Sequence, residues 1–513
     1  MVYKKMNFDE LINLVCSDDS LNICTDSRAV TKGDVFVALK GTVYDGHDFI
    51  DQAIANGAKY LVCEQNHRVT SHELRDTIIT EDSAKAAAIL AQAAKGNPAS
   101  LLTNLAVTGT NGKTTVSYLV RSCFRHAGQK CGLIGTVVYD DCSGKGAESA
   151  LTTPDCLTIA EKQANMLKNG AKFMITEASS HALSQNRLAG VNFKAAAFTN
   201  LTGDHLDYHK RKEDYLAAKT KLFSALSKDA TAVLNKESPE SVSIAKSTNA
   251  SVLWYAIEQK ADLVAQIESM DIGGTIFTIN YGGQSREVKS PLVGRYNVSN
   301  HLAAAGLCLA ADLDLQIIAE GLSNLKLIPG RLEKVDWDGS FSVLIDYAHT
   351  DDALKNVLSN LKPLCKGKLH VVFGCGGDRD RTKRPRMAKV AEEFADSIIV
   401  TSDNPRTEDP QKIINEILTG FENRGRDARP CVSTNLGPIP KPNINVISDR
   451  KKAIEAAILA AGKDDIVLIA GKGHENYQII GKTKSHFSDK EIALECLEKG
   501  EVKGFVSENS NIH

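Results

Sequence analysis

Apolar and polar positions in the first hundred residues alternate between strand-like and helix-like spacing. Residues 35–39 and 59–63 are short apolar runs that predict strands, and residues 49–56 follow helical spacing. A longer helix is predicted over residues 82–95, because glycine and proline follow directly and stop it. We therefore expect a mixed α/β domain that ends at residue 97.

From residue 101 the pattern becomes an apolar strand, a glycine loop and a helix, and this unit repeats to about residue 330. Such repeats predict a doubly wound parallel sheet, the central element of an α/β domain. A Pro-Gly-Arg sequence ends the region, so we place the second boundary at residue 331. The expected domains are 1–97, 98–331 and 332–513.

Strand and helix signals alternate regularly in the last of these domains. The predicted strands are residues 341–345, 369–373, 397–401, 445–447 and 466–470. Four strands run straight into polar loops, at residues 346–349, 374–379, 403–406 and 471–475. Ligands of open α/β sheets bind outside the carboxyl ends of the strands, so one edge of this domain is a predicted binding face.

Charge and composition exclude several partners. Lys and Arg number 61 and Asp and Glu 63, a formal net charge of -2, so no overall field attracts nucleic acid or anionic membrane. No apolar run approaches the ~18 to 20 residues that span a bilayer, and the amphipathic N-terminus lacks the apolar stretch of a signal peptide. We expect a cytoplasmic monomer without membrane insertion, whose twelve cysteines are mostly reduced thiols.

The sequence from Leu105 to Thr115 predicts a phosphate-binding loop. An apolar strand leads into Gly109, Gly112 and Lys113, and a helix is expected from Val116. Glycines let backbone N–H groups surround phosphate oxygens, the lysine reaches the β- and γ-phosphates, and the hydroxyl that follows can ligate Mg²⁺. The loop departs from the strict GxxxxGK[ST] pattern, because its first glycine is one position late. A purely structural turn is the weaker alternative.

Two further features indicate metal or phosphate contact. Glu177 ends a predicted strand over residues 172–176, where a carboxylate can hold the metal. Residues 199–209 hold two Asp and two His, among them His205. Each of these side chains alone is more simply explained as structural, but together with the phosphate-binding loop they favour a site.

Six motifs occur in the order and spacing of the Mur ligases, which the chain resembles over essentially its whole length. They are residues 109–115, 177–181, 200–209, 294–297, 329–331 and 346–350. The resemblance implies an N-terminal UDP-binding domain, a central P-loop ATPase domain and a C-terminal Rossmann-like domain that brings the amino acid. It also implies an ATP-dependent amide ligase that activates the terminal D-glutamate carboxylate of a UDP-N-acetylmuramoyl dipeptide as an acyl phosphate, in peptidoglycan precursor synthesis.

The resemblance implies two overlapping sets of residues for nucleotide and metal. The implied ATP-binding residues are Gly109, Thr110, Asn111, Gly112, Lys113, Thr114, Thr115, Asn297, His301, Arg331 and Asp346. The implied metal ligands are Thr114, Glu177, His205 and Lys219, the last as a carbamate, and Lys113, Lys219, His205 and Glu177 are the implied catalytic residues. An ammonium beside Mg²⁺ is repelled, whereas a carbamate is anionic, although the helical pattern alone favours a solvated lysine at this position.

The resemblance also assigns the two other substrates. The UDP-linked dipeptide is expected to contact Thr25, Asp26, Ser27, Arg28, Thr42, Val43, Tyr44, Thr152, Thr153, Ser179, Gln185 and Arg187. The Thr-Val-Tyr stretch differs from the His-Gln-Ala of some relatives. The implied diaminopimelate pocket comprises Arg379, Asp403, Asn404, Pro405, Arg406, Gly471 and Glu475.

The amino acid is predicted from the loop over residues 403–406. Diaminopimelate-adding relatives carry an arginine there, whose planar fork can grip the distal carboxylate, and lysine-adding relatives lack it. We therefore expect meso-2,6-diaminopimelate, and lanthionine, which keeps both carboxylates and both amines, is a conceivable analogue. The alternatives are an L-lysine-adding or analogue-adding relative, a folylpolyglutamate synthetase, or a P-loop kinase or switch.

Overall fold

The computed structural model describes residues 6–41, 43–64, 77–202, 211–421 and 442–508, and these residues form three large sheets and one separate antiparallel two-stranded sheet over residues 477–486. The first is a four-stranded parallel sheet in the order β1-β2-β3-β4. Its strands are Ile23–Cys24, Val35–Val37, Tyr60–Glu64 and Thr77–Thr80. Its helices α1 to α3 are Phe8–Ser17, Ile50–Ala55 and Ser83–Ala93.

The second sheet has eleven strands and forms the centre of the molecule. Strands β5 to β15 are Thr103–Thr108, Cys131–Ile134, Val138–Asp140, Ala147–Glu148, Phe173–Glu177, Phe193–Phe198, Thr231–Asn235, Ser251–Ile257, Leu263–Asp271, Gly274–Tyr281 and Gln284–Ser290. Helices α4 to α11 are Pro98–Leu101, Lys113–His126, Cys156–Lys168, Ser180–Ser184, Lys212–Ser224, Ser241–Ser247, Arg295–Ala310 and Leu315–Ser323.

The order of this sheet is β15-β14-β13-β12-β11-β10-β5-β9-β6-β7-β8. All neighbouring strands from β13 through β12, β11, β10, β5 and β9 to β6 pair in parallel. Strands β14 and β15 at one end and β7 and β8 at the other pair antiparallel. The α/β class is confirmed, but a wholly parallel sheet was too simple an expectation. Alternate residues of β5 enter different cores: Leu105 and Val107 pack on one face and Ala106 on the other.

The third sheet has the order β16-β17-β21-β18-β19-β20, and only β16 is antiparallel. Strands β16 to β23 are Glu333–Lys334, Ser342–Asp346, Leu369–Phe373, Ser397–Val400, Asn443–Val446, Ile466–Ala470, Tyr477–Ile480 and Thr483–His486. Helices α12 to α16 are Asp351–Leu361, Lys383–Phe394, Pro410–Leu418, Arg450–Ala460 and Asp489–Glu508. The four polar loops expected at one edge follow parallel strands and therefore share that edge.

Among the described helices, none is both long and apolar enough to cross a membrane.

A buried ion pair joins helices α15 and α16 beside the third sheet. Arg450 on α15 donates to both carboxylate oxygens of Asp489 on α16, at 2.8 and 2.7 Å, and both side chains are fully buried. Asp489→Asn is expected to lower the free energy of unfolding by about 3 to 5 kcal/mol, because it leaves a buried guanidinium without its counter-charge. Chemical denaturation measures this loss.

The matched control is Glu495→Gln. Its pair with Lys451 joins the same two helices but is about half exposed, so water already screens it. A denaturation midpoint that shifts equally in both variants would contradict the prediction.

Candidate active site

The loop between β5 and α5 forms a cradle for a phosphate-bearing ligand. Helix α5 begins at Lys113, three residues earlier than expected, and Thr110 and Thr115 are buried. Gly109 and Gly112 have φ of 150° and 91°, and a Cβ on either would collide with a neighbouring side chain. The backbone can therefore approach an anion closely, and the N-terminus of α5 adds partial positive charge.

Two lysines converge on the first glycine of this loop. Lys113 Nζ donates to the carbonyl oxygens of Gly109 at 2.9 Å and Thr110 at 2.7 Å. Lys219 Nζ, from α8, donates to the same Gly109 oxygen at 2.8 Å and lies 4.3 Å from the Tyr215 ring centroid. Lys219 is 1 % exposed. The helix lysine is therefore part of the phosphate-loop environment and is not solvated.

Glu177 ends β9 beside the loop and is fully buried. Its Oε2 accepts from the hydroxyls of Thr114 at 3.1 Å and Thr136 at 2.9 Å, and its Oε1 accepts from the Thr136 N–H at 3.0 Å. A carboxylate with two hydroxyls is the hard-oxygen donor set that suits Mg²⁺. No three His, Cys, Asp or Glu side chains converge on a metal site within the described ranges, and His205 lies outside them.

Asn111 ties the phosphate loop to its surroundings on two sides. Its N–H donates to Asn200 Oδ1 at 3.0 Å, and its carbonyl oxygen accepts from Thr199 Oγ1 at 2.6 Å. Its side-chain amide donates to Asp352 Oδ2, on α12, at 2.9 Å. The third domain therefore contacts the phosphate loop directly.

Arg331, at the second predicted boundary, reaches the same loop. Its Nη2 donates to Thr114 Oγ1 at 3.2 Å, and its guanidinium lies 4.8 Å from the Tyr347 ring centroid. Asp346 is buried nearby and accepts two backbone N–H bonds, at 2.7 and 2.8 Å. Burial raises the pKa of Asp346, although Arg331 and the two N–H groups oppose that rise.

The structure places Asn297 and His301, the other two predicted nucleotide residues, inside α10. His301 Nδ1 lies 2.6 Å from the Asn297 carbonyl oxygen, and its ring packs edge-on against Phe277 at 5.2 Å. Burial lowers the pKa of His301 to about 4, so the ring is neutral at pH 7. Asn300, between them in sequence, packs on Gly112 of the phosphate loop.

The five second-domain residues predicted for the dipeptide form one group beside Glu177. They are Thr152, Thr153, Ser179, Gln185 and Arg187. Thr153 Oγ1 donates to the Glu177 carbonyl oxygen at 2.6 Å and accepts from the Ser179 N–H at 3.0 Å. Arg187 donates to the Thr153 carbonyl oxygen at 2.7 Å and to the Gln185 side-chain oxygen. The Thr152 hydroxyl lies 3.1 Å from that of Thr136, a partner of Glu177.

The first-domain residues predicted for the UDP group differ in exposure. Ser27 is buried, whereas Val43 and Tyr44 are 79 % and 72 % exposed. Thr25 is partly exposed, and Thr42 lies outside the described residues. The exposed tyrosine ring is available for stacking on a planar group.

The loops of the third domain bring the predicted amino-acid residues together. Asp403, Asn404 and Pro405 are buried, and Asn404 Nδ2 donates to Glu475 Oε2 at 2.9 Å. Gly471 has φ of 114° and faces Asp403 so closely that a Cβ would press on its carboxylate. Carboxylate, amide and glycine backbone therefore lie in one pocket wall.

Two arginines lie beside this wall. Arg406 has a φ of 49°, rare for a residue with a side chain, and its Nη1 donates to the Gly377 carbonyl oxygen at 2.9 Å. Arg379 is exposed. Both arginine side chains lie close to Gly376, within 4 Å of the position that a Cβ on this glycine would occupy. Arg406 therefore lies at the predicted pocket, and Arg379 follows the neighbouring loop with its Nη1 donating to the Asp378 carbonyl oxygen at 2.9 Å.

Three family models cover most of the chain. "Mur ligase family, catalytic domain" matches residues 21–101, "Mur ligase middle domain" matches residues 107–308, and "Mur ligase, glutamate ligase domain" matches residues 330–473. The chain belongs to the Mur ligase family.

The Mur ligases similar to this chain include diaminopimelate ligases from several bacteria. A UDP-N-acetylmuramoyl-L-alanyl-D-glutamate–2,6-diaminopimelate ligase of Gloeobacter violaceus is 42% identical over 95% of each chain. The protein of that name from Geobacillus kaustophilus is 42% identical over 92% of this chain and 94% of its own. A solved structure of such a ligase is 33% identical, with a TM-score of 0.64 over 94% of this chain and 95% of its own.

Two residues of this Mur ligase site were missed from the sequence. Lys472 lies in the predicted polar loop over residues 471–475, but only Gly471 and Glu475 of that loop were predicted as site residues. It is fully buried and bonded to Asn404 at 2.9 Å. Thr136 supplies two of the three hydrogen bonds described for the Glu177 carboxylate. The sequence signal that could have identified Thr136 is the glycine before it, at the end of an apolar strand.

Proposed function

We propose that this chain joins meso-2,6-diaminopimelate to UDP-N-acetylmuramoyl-L-alanyl-D-glutamate in an ATP-dependent amide ligation of peptidoglycan precursor synthesis. One observation carries the proposal: the phosphate loop and the arginine-bearing amino-acid loops belong to domains joined by the Asn111–Asp352 bond. The similar ligases support the same substrates for this chain. The proposed setting is the cytoplasm, and the proposed form is a monomer.

The domains divide the work in this proposal. Residues 1–97 bind the UDP-muramoyl group, residues 98–331 bind ATP, and residues 332–513 bind the amino acid. The exposed Tyr44 ring supports the first assignment, and the glycine loop with Lys113 supports the second. Arg406 and Glu475 support the third, because a guanidinium and a carboxylate near each other suit a substrate that carries both charges.

The residues fit transfer of a phosphoryl group to a carboxylate. Both reactants are anionic, so Lys113 and the N-terminus of α5 must offset their repulsion before they can meet. Thr114 and Glu177 would hold Mg²⁺, which would supply further positive charge at the phosphates. The group around Thr153 and Arg187 is positioned to orient the D-glutamate carboxylate next to the loop.

The proposed reaction has two steps, and the bonds formed and broken balance in each. A carboxylate oxygen of D-glutamate attacks the γ-phosphorus and ADP leaves, which gives an acyl phosphate. The neutral amine of diaminopimelate then attacks the acyl carbon, inorganic phosphate leaves, and the amine loses one proton. Glu475 holds the second ammonium and Arg406 the distal carboxylate, so only one amine is presented to the acyl group.

Release of inorganic phosphate tests the proposal. Purified protein with Mg-ATP is expected to release phosphate at an appreciable rate only when both the UDP-dipeptide and meso-diaminopimelate are present, and mass spectrometry should show the UDP-tripeptide. A kinase would instead form a stable phosphorylated product without free phosphate. Absence of both ADP and UDP-tripeptide with all reactants present would reject the function.

A further inference from the structure

Lys472 is a buried cation directly beneath the amino-acid loop. It lies between Gly471 and Gly473, and its residue exposure is 0 %. Its Nζ donates to Asn404 Oδ1 at 2.9 Å and to the Tyr477 carbonyl oxygen at 2.7 Å. A fully buried ammonium is costly unless its partners hold it, so this position is a constrained one.

The lysine fixes the orientation of the Asn404 amide. Asn404 Oδ1 accepts from Lys472 Nζ and, at 3.0 Å, from the Ile479 N–H. Two donors on one oxygen leave the Asn404 nitrogen to face Glu475, whose Oε2 it reaches at 2.9 Å. A flipped amide would place NH₂ against two donors and oxygen against a carboxylate.

Lys472 also balances two carboxylates. Its Nζ lies 3.7 Å from Asp403 Oδ1 and 3.8 Å from Glu475 Oε2. Burial raises the pKa of Glu475 and Asp403 raises it further, whereas Lys472 and Asn404 lower it. Burial also raises the pKa of Asp403, but Lys472, Arg450 and His349 outweigh it and the net shift is downward. Without the lysine, two acids would face each other with less compensation.

We propose that Lys472 is a positioning residue for amino-acid selection: it holds Asn404 and Glu475 in the orientation and charge state that receive the second ammonium of the substrate. This inference rests on the proposed function. The lysine acts through its two neighbours, because its own nitrogen is already committed to Asn404 and Tyr477. Its loss should therefore affect the amino acid and leave the nucleotide site unchanged.

Steady-state kinetics of the full chain tests this inference. Lys472→Met, which keeps the length of the side chain, is expected to raise KM for meso-diaminopimelate at least tenfold. KM for ATP and for the UDP-dipeptide should stay within about twofold, since the Lys472 ammonium bonds to Asn404 and Tyr477, which are assigned to neither site. Lys482→Met, an exposed lysine nearby, is the matched control and should match the wild type in all three constants.

A pH series separates charge from packing. In Lys472→Met the Glu475 pKa rises, so the carboxylate is protonated at lower pH and regains its charge as pH increases. The ratio of variant to wild-type KM for diaminopimelate should therefore fall as pH rises through the raised pKa of Glu475. The groups that face Glu475 are Asp403, Asn404, Arg406, Arg450, Tyr347, Tyr477 and Lys472.

The double variant Lys472→Met/Asp403→Asn keeps the test decisive if the single variant does not fold. It removes one positive and one negative charge together, so the pH dependence of the KM ratio should disappear, while KM stays raised because Asn404 has lost a donor. An unchanged diaminopimelate KM in a folded, active variant would overturn the inference, as would a parallel rise in all three KM values. Failure of the proposed function looks different: the wild type itself would form no UDP-tripeptide.

Discussion

L-Lysine is expected to be used about 10⁴-fold less efficiently than meso-diaminopimelate, measured as kcat/KM in the phosphate-release assay. Lysine keeps the ammonium that Glu475 would bind but lacks the distal carboxylate. The partly buried guanidinium of Arg406 would then lack the carboxylate that it pairs with in the proposed complex, and leaving a charged group unpaired in a closed site costs several kcal/mol. Comparable efficiencies for the two amino acids would contradict this prediction.

The arginine variant sharpens the test. Arg406→Met should lower kcat/KM for diaminopimelate by a large factor and leave the already low value for lysine nearly unchanged, because lysine makes no contact with that group. Arg406→Lys keeps the charge but loses the planar fork, so it should recover only part of the loss. A matched compound, 2-aminopimelate, keeps the distal carboxylate without its amine and reports the Glu475 contribution alone.

Lys219→Ala is expected to lose most of the ligase activity and to regain part of it with added short carboxylates such as acetate. The reason is its location: Lys219 and Lys113 both donate to the Gly109 carbonyl oxygen, so two ammonium groups share one acceptor beside the phosphate loop. A carbamate on Lys219 would remove one of those charges and supply an anion near the Mg²⁺ ligands. Added carboxylate can replace that anion only when the side chain has been shortened.

A direct measurement accompanies the kinetics. Wild-type protein equilibrated with ¹³C-bicarbonate should show a carbamate carbon signal in NMR that is absent from Lys219→Ala. Lys221→Ala on the same helix is the control, since this lysine lies at an exposed position. Full activity of Lys219→Ala, or no difference between the two carbon spectra, would defeat the carbamate prediction.

Local patterns in the sequence were sufficient to place much of the fold. Strand β18 at Leu369–Phe373 and strand β21 at Ile466–Ala470 occupy the predicted residues, because short apolar runs between polar loops have few alternatives. The antiparallel strands β14 and β15 were not separated from the parallel pattern. Strands β14 and β15 form a hairpin whose alternating residues resemble any half-buried strand, and direction is set only by tertiary pairing.

The site could be predicted where chemistry and position coincide in one short stretch. Lys113 and Glu177 follow directly from glycine-loop and strand-end signals. Lys472 could not be selected in the same way, because burial of a lysine depends on Asn404 and Asp403, which lie some seventy residues earlier. The burial of His301 against Phe277 was likewise not foreseen, since helical spacing does not reveal which side faces a core, and its nucleotide role stays a prediction.

We expect the hydrogen bond from Asn111 to Asp352 to couple binding of the nucleotide to binding of the amino acid. A loop that binds triphosphate also touches the helix that follows β17 of the amino-acid domain, so each ligand acts on a contact that the other one needs. If binding of one reactant raises the affinity for the other, then binding of the second raises the affinity for the first by the same factor. We therefore expect ATP hydrolysis without an acceptor to be slow, because binding of either reactant would favour the interdomain contact that lies between the two proposed sites.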